Sequence, residues 1–182
     1  MRAYTANDIL SFFEQHRPLA THYIVAQTHF HPSNCSVAQI EYFAKQTSID
    51  LRHALNHFAG LVRTVPDRHA RKHRDQFRPL SLSTIEFLNP NVLQRDTVHV
   101  NVCLGNISKK FSTADIERIF RHCWVIRAGQ VDNISVQELR SGHTVFDYML
   151  KEAKGSSARA MDCYGTWDIG STFVPRNPAF KG

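Results

Sequence analysis

The chain has 182 residues, of which 42% are hydrophobic, and it carries a formal net charge of +6. This length and composition fit one globular domain with a buried core and exclude a disordered chain. The basic balance is compatible with a polyanionic partner such as nucleic acid, whereas four scattered cysteines without a CxxC pair argue against a zinc ribbon or a disulfide scaffold. No apolar run approaches the length of a membrane span, and the N-terminus lacks the features of a signal peptide, so we expect a protein of the reducing cytoplasm.

The first half of the chain has the pattern of a helix, a strand and further helices. Residues 5–16 predict an amphipathic helix that opens with a capping box. Residues 21–30 predict a strand. From residue 36 to about 62 the apolar spacing is helical, and we expect two helices with a break near 47–50. Residues 66–79 form a basic segment bounded by prolines.

The second half of the chain contains most of the predicted strands. The expected elements are, in order, a strand at 80–88, a turn at 89–91, a strand at 97–105, a helix at 112–122, strands near 123–126 and 133–139, and a helix at 141–155. The tail at 156–182 shows no clear periodicity, and no repeat or long linker divides the chain. We therefore expect a single α+β domain at 1–182, with helices packed on a mostly antiparallel sheet.

The stretch TVHVNVCLG at 97–105 has an unusual polar face. Strand alternation puts His99 and Asn101 on the same side, and Glu86 stands in the apolar run STIEFL of the preceding strand. A hairpin of the two strands would let Glu86 face His99, and burial of a carboxylate is costly without a partner. Carboxylate oxygen, imidazole nitrogen and amide oxygen suit Mg²⁺ or Mn²⁺. The residues alone leave open a satisfied core histidine, an edge-strand asparagine and a glutamate paired with a basic residue.

The predicted helix at 141–155 presents a tyrosine and a lysine opposite its apolar stripe. Helical spacing gathers its core-facing side chains on one side: Val145, Phe146, Met149, Leu150 and Ala153. Tyr148 and Lys151 are three residues apart and therefore neighbours on the helix surface. An ammonium beside the phenol favours the phenolate. The alternative is a surface tyrosine beside a lysine that is paired with Asp147.

The order of these motifs along the chain resembles that of the HUH endonuclease superfamily. The chain has E…H-x-N on two strands, followed by Y-x-x-K on a helix. More narrowly, it is similar to the single-tyrosine rolling-circle replication initiators of phages and plasmids. The resemblance covers about residues 20–155: the strand at 21–30 corresponds to the first motif, His99-Val100-Asn101 to the second, and Tyr148-Met149-Leu150-Lys151 to the third. Most members have a second histidine at the position of Asn101, and some relatives have a glutamine there.

The resemblance implies a fold, a cofactor and a reaction. The fold is a central antiparallel sheet, RRM-like or palm-like, with the metal-ligand strands at its centre. Glu86, His99 and Asn101 would hold a divalent metal, Mg²⁺ or Mn²⁺. Tyr148 would attack DNA and leave a 5′-phosphotyrosine and a free 3′-hydroxyl. Lys151 would stabilise the phenolate or the charge that develops on the phosphate.

The function that the resemblance implies is a sequence-specific single-strand DNA nickase and strand transferase that starts rolling-circle replication. Its substrate would be single-stranded or hairpin origin DNA. Because no nucleotide-binding loop of the GxxxxGK[ST] type appears in the sequence, a host helicase and a host polymerase would be partners. Two other functions remain open: a single-tyrosine transposase or relaxase, and a noncatalytic nucleic-acid-binding module in which Asn101 marks lost metal binding.

The basic segment 66–79 is interpreted as an arm that contacts DNA phosphates, with a solvated loop as the alternative. Its cationic side chains are Arg68, Arg71, Lys72, Arg74 and Arg78. Outside this segment, His29 and His31 are assigned to the first motif or to DNA contact rather than to the metal. His143 is an additional candidate ligand, and Tyr164 is assigned a structural role.

Overall fold

The computed structural model describes residues 4–32, 35–86, 97–140, 144–151 and 167–176. Within these ranges, four strands form one antiparallel sheet and helices pack against it. The chain is therefore of the mixed α+β class, as its sequence pattern predicts. None of the helices in the described ranges has both the length and the apolarity needed to cross a membrane.

Six α-helices and four strands follow one another along the described chain. They are α1 (Ala6–His16), β1 (Ala20–Gln27), α2 (Val37–Arg63), α3 (Asp67–Lys72), α4 (Arg74–Phe77), β2 (Leu80–Glu86), β3 (His99–Gly105), α5 (Thr113–Arg121), β4 (Ile134–Glu138) and α6 (Val145–Met149). The strands are ordered β2-β3-β1-β4, and every neighbouring pair is antiparallel. The inner strands β1 and β3 are thus far apart in sequence but adjacent in the sheet.

Two helix starts that the sequence predicts are confirmed. The Thr5 hydroxyl accepts from the Asp8 backbone N–H, and the Asp8 carboxylate accepts from the Thr5 backbone N–H. Ser112 and Asp115 form the same reciprocal pair at the start of α5. Each box satisfies backbone donors that the first helical turn leaves without partners.

The expected break in the long helix at 47–50 is wrong. α2 runs through this stretch without interruption for 27 residues. Two polar side chains of this stretch bond to distant parts of the chain: Ser48 donates to Asp168, and Asp50 accepts from Gln130. Tertiary contacts therefore use the groups that would otherwise end one helix and begin another.

The strand expected near 123–126 is also wrong. His122–Arg127 forms a π-helical continuation of α5. Cys123 and Trp124 are buried there, and the Trp124 indole donates to the backbone carbonyl of Gln27. The apolar run packs against the sheet instead of joining it as a strand. A short apolar run does not distinguish these two outcomes by itself.

The sheet is buried on both faces. One face packs against α2 and α5 through residues such as Ile24, Val100 and Val102. The opposite face packs against α1 and α6 through residues such as Leu82 and Cys103. Burial on both faces explains why β2 and β3 are almost continuously buried instead of alternating between core and solvent. The candidate site lies on the second face, next to α6.

Candidate active site

The hairpin between β2 and β3 brings Glu86 and His99 together. The two residues are paired across the strands, so their side chains point to the same face. Glu86 Oε2 lies 2.6 Å from His99 Nε2. The Glu86 side chain is almost completely buried at 1% exposure, whereas that of His99 is 25% exposed. A buried carboxylate therefore meets an imidazole that remains open to solvent on one side.

Lys151, just beyond α6, makes a second side-chain contact with Glu86. Its Nζ lies 2.9 Å from the same carboxylate oxygen, Oε2, and 3.8 Å from the centroid of the Tyr148 ring. Burial of Lys151 opposes its charge, but hydrogen bonds to Tyr148 and Glu86 outweigh this effect, so the pKa of Lys151 lies above its usual value. Lys151 thus connects the carboxylate to the half-exposed phenol.

The packing of α6 fixes the position of Tyr148. The apolar stripe that the sequence predicts on this helix is buried over its described part, Val145, Phe146, Met149 and Leu150. Phe146 packs edge-to-face against Phe13 of α1, and Met149 contacts Cys103 of β3. Because this stripe is anchored in the core, the opposite side of α6 holds Tyr148 at the surface.

Asn101 lies on the same face as His99 and is held by Tyr23. Asn101 is fully buried, and the Tyr23 hydroxyl donates to its Oδ1. Burial and then the charge of Glu86 raise the pKa of Tyr23, so this hydroxyl keeps its proton. Sequence reasoning missed Tyr23. Its place in a strand was visible, but its contact with Asn101 depends on the register of β1 against β3.

Several buried polar atoms of this face have no hydrogen-bond partner in the described chain. They are Glu86 Oε1, Asn101 Nδ2 and Thr84 Oγ1. Thr84 is the cross-strand partner of Asn101, so these groups lie on adjoining positions. Buried polar atoms normally have partners, and a cluster without them indicates a place for water or a ligand.

The donor atoms at this place suit a divalent cation. Carboxylate and amide oxygens are typical ligands of Mg²⁺ and Mn²⁺, and Mn²⁺ also accepts imidazole nitrogen. In the described ranges, no group of three His, Cys, Asp or Glu side chains is arranged to hold a metal. The set formed by Glu86, His99 and Asn101 contains two such residues and an amide. Glu86 Oε1 has no hydrogen-bond partner among the described residues, but His99 Nε2 lies 2.6 Å from Glu86 Oε2, so this nitrogen binds a metal only if it gives up that contact.

The basic segment 66–79 forms the two short helices α3 and α4. The side chains of Arg68, Arg71, Lys72 and Arg74 are exposed. Pro79 directly precedes β2, and Glu86 lies at the far end of that strand. Six residues of strand separate the two ends by about 20 Å. The exposed cations and the Glu86–His99 pair are therefore at opposite ends of the sheet.

Arg78 differs from the other cations of this segment. It is 4% exposed, and its guanidinium donates to the backbone carbonyl of Ser171 at 3.0 Å. Burial lowers the pKa of Arg78 to about 10. Its guanidinium also lies 5.2 Å from the centroid of the Phe173 ring. Arg78 thus holds the segment 167–176 against β2 and does not extend into solvent.

The remaining sequence-predicted residues divide into two groups. His29 and His31 are exposed beyond the end of β1, whose last residue, Gln27, is paired with His99. They are therefore near the open end of the site, but no described contact links them to Glu86. His143 and Tyr164 lie outside the described residues.

The comparisons with known proteins give no family assignment: no family model, no curated protein and no solved structure matches this chain.

Proposed function

We propose that this protein is a metal-dependent nickase and strand transferase of the HUH type, which cuts single-stranded DNA to start rolling-circle replication. One observation carries the proposal. Glu86, His99 and Asn101 lie on one face of adjacent strands, and Lys151 links that face to the exposed phenol of Tyr148. Phosphoryl transfer through a tyrosine requires a nucleophilic phenol, a nearby positive charge and ligands for a divalent metal ion. These residues supply all three kinds of group.

The arrangement of the sheet also supports the proposal. The connection β1-α2-β2-β3-α5-β4 with the strand order β2-β3-β1-β4 is that of a split βαβ unit. RNA-recognition domains bind nucleic acid on a four-stranded sheet. Here α1 and α6 cover much of the corresponding face, and His99 at the end of the sheet remains partly exposed. The HUH resemblance implies an RRM-like sheet with both metal-ligand strands at its centre. In the observed order β3 is an inner strand, but β2, which carries Glu86, is at the edge, so this part of the expectation is wrong.

The proposed reaction exchanges one phosphoester for another. The phenol oxygen of Tyr148 forms a bond to phosphorus while the bond from phosphorus to the 3′-oxygen breaks. The phenol proton leaves to solvent, and the 3′-oxygen takes up a proton from water. Lys151 stabilises the negative charge that develops on the phosphate. A divalent ion, when bound, supplies Lewis-acid polarisation of that phosphate.

The direct test uses a randomised pool of single-stranded oligonucleotides with Mn²⁺ or with EDTA. Strands that stay joined to the protein after denaturation are recovered and sequenced. We expect a metal-dependent adduct that is enriched in one sequence. If DNA binds but no adduct forms with any metal, the proposal is wrong and the noncatalytic module is favoured. The recovered sequence also separates an origin from a transposon end or a transfer origin, and therefore an initiator from a transposase or relaxase.

The noncatalytic module is supported by one observation of its own. Glu86 already forms an ion pair with Lys151 and contacts His99, and Asn101 Oδ1 already accepts from Tyr23. The two functions make different predictions for Lys151→Met. If a metal competes with the ammonium for Glu86 Oε2, we expect this variant to bind Mn²⁺ about tenfold or more tightly, because a nearby positive charge that occupies this oxygen is removed.

Titration calorimetry with Mn²⁺ measures this effect, and Lys45→Met, at an exposed position of α2, is the control. Adduct formation by Lys151→Met should fall by about 100-fold, since the charge that assists the phosphate is lost. Mn²⁺ affinity that is unchanged by Lys151→Met would show that no metal shares this carboxylate.

Tyr23→Phe tests whether the asparagine is a positioned ligand. Loss of the hydroxyl leaves the buried Asn101 amide free to rotate, and we expect Mn²⁺ affinity to fall by about tenfold. The free energy of unfolding should fall by only about 1 kcal/mol. Tyr42→Phe, exposed on α2, is the control. A Tyr23→Phe variant that loses stability but keeps its Mn²⁺ affinity would make Tyr23 purely structural.

The exposed cations of α3 and α4 are expected to contribute most of the salt dependence of DNA binding. Each phosphate contact to a single strand contributes about 0.7 to the slope of the logarithm of the binding constant against the logarithm of the salt concentration. Neutralising Arg68, Arg71, Lys72 and Arg74 together should therefore reduce the magnitude of this slope by about 3. The measurement is a salt titration of fluorescence anisotropy with single-stranded DNA. Its control neutralises exposed cations elsewhere: Lys45, Lys109, Lys110 and Arg127. Equal slopes for the two quadruple variants would show that the segment is only a solvated surface.

A further inference from the structure

A cleft of about 450 Å³ opens beside Tyr148 on the side away from Glu86. Its lining residues in the described chain are Tyr23, Val25, Gln137, Glu138, Leu139, Thr144, Val145 and Tyr148. The floor comes from β1, one wall from the end of β4 and the other wall from the start of α6. Its volume lies in the range of ordinary small-molecule sites.

The chemistry of this cleft suits a nucleobase and not a phosphate. None of the described lining residues is cationic, so the lining offers no positive charge to hold an anion. Strand alternation turns the Glu138 side chain away from the cleft, toward His22 on the other face of the sheet. Two aromatic rings, Tyr23 and Tyr148, stand 6.5 Å apart in an edge-to-face arrangement at one end. Aromatic side chains bind unpaired bases by stacking, and neighbouring amides read the edge of the base by hydrogen bonds.

The order of the strands indicates which nucleotide of the DNA would enter the cleft. The metal-ligand residues lie on β2 and β3, and the cleft lies over β1 and β4, so Tyr148 stands between them. In an in-line displacement, the leaving 3′-oxygen departs on the side of phosphorus opposite to the tyrosine. The nucleotide that keeps the phosphate stays joined to Tyr148. β4 is two strand spacings, about 10 Å, from β3, which one nucleoside can span.

We infer that the cleft beside Tyr148 is a base-recognition subsite for the nucleotide immediately 3′ of the scissile phosphate, and that Gln137 helps to select its base. The inference rests on the proposed nickase function. Gln137 is paired with Tyr23 across β4 and β1, so its amide points into the cleft beside the ring. An amide carries both a donor and an acceptor, and this pair matches the edge of a base.

The experiment uses the cleaved sequence that the oligonucleotide pool selects. An abasic site replaces either the base 3′ of the scissile phosphate or the base 5′ of it, and the affinity of each strand for Tyr148→Phe protein is measured by anisotropy. We expect the 3′ abasic site to weaken binding by about tenfold or more, since a stacked base is lost. The 5′ abasic site should weaken it much less.

A second arm measures base preference with protein that retains Tyr148. Gln137→Ala should reduce the preference among the four bases at the 3′ position by about fivefold or more in adduct yield, because each good base contact discriminates by about 1–3 kcal/mol. Gln15→Ala, exposed on α1, is the control.

The outcomes separate the two proposals. If adducts form but the two abasic sites have equal effects, or if Gln137→Ala keeps the original preference, the subsite is wrong and the nickase stands. If no adduct forms with any strand, both are wrong.

Discussion

Tyr148→Phe is expected to abolish the covalent protein–DNA adduct while DNA affinity stays within about twofold. The phenol oxygen is the only atom removed, and it is the atom proposed to attack phosphorus. Loss of a nucleophile commonly costs more than about 10⁴-fold in rate. The side chain is 49% exposed, so the variant should fold normally. The measurement is a denaturing gel of labelled single-stranded DNA with Mn²⁺, read beside anisotropy binding.

The matched control for this variant is Tyr42→Phe, which removes a hydroxyl at another exposed position. It should form the adduct normally. An adduct that survives in Tyr148→Phe would place the nucleophile elsewhere, and mass spectrometry of the joined peptide would identify it. A variant that loses both adduct and DNA binding would instead indicate that Tyr148 contributes to binding before chemistry.

Glu86→Gln is expected to remove both Mn²⁺ binding and adduct formation. The substitution keeps the size of the side chain but removes the charge that faces His99 and Lys151. A neutral amide is a weak ligand, and even the loss of an outer-shell partner costs ten- to hundredfold in metal affinity. We therefore expect the Mn²⁺ affinity to fall by more than about 100-fold in titration calorimetry.

Stability must be measured with the same protein, because Glu86 is buried. Glu86→Gln removes the charge partner of Lys151, which is partly exposed and can turn to solvent. The free energy of unfolding should therefore fall by only about 1–2 kcal/mol. Glu41→Gln, exposed on α2, is the control. A Glu86→Gln protein that still binds Mn²⁺ as tightly as the parent would exclude this carboxylate as a ligand and leave it as a structural ion pair.

Local sequence patterns predict some features of the candidate site but not others. The facing of Glu86 and His99 follows from strand alternation and one hairpin, and the structure places them in cross-strand register. The surface position of Tyr148 follows from the apolar stripe of its helix. By contrast, the contact between Tyr23 and Asn101 joins residues 78 positions apart. No periodicity within either strand predicts that pairing.

Two further results depended on tertiary packing in the same way. Arg78 reads as one more cation of a basic segment, yet it is buried because residues 167–176 fold back onto β2 and supply the Ser171 carbonyl. The long helix α2 is continuous where a break was expected, and Ser48 and Asp50 in that stretch bond to Asp168 and Gln130. In both cases a distant segment provided a bonding partner that changed the local preference.

The sequence by itself determined the elements whose causes are local: the capping boxes of α1 and α5, the hairpin that pairs Glu86 with His99, and the apolar stripe of α6. The tertiary structure decided the strand order, the burial of Arg78 and the meeting of Lys151 with Glu86. The physical reason is the separation along the chain of the residues that interact. Hydrogen bonds and side-chain periodicity within a few residues set each element, whereas the sheet order and the joining of α6 to β2 arise from burying two apolar faces at once, which depends on the whole chain.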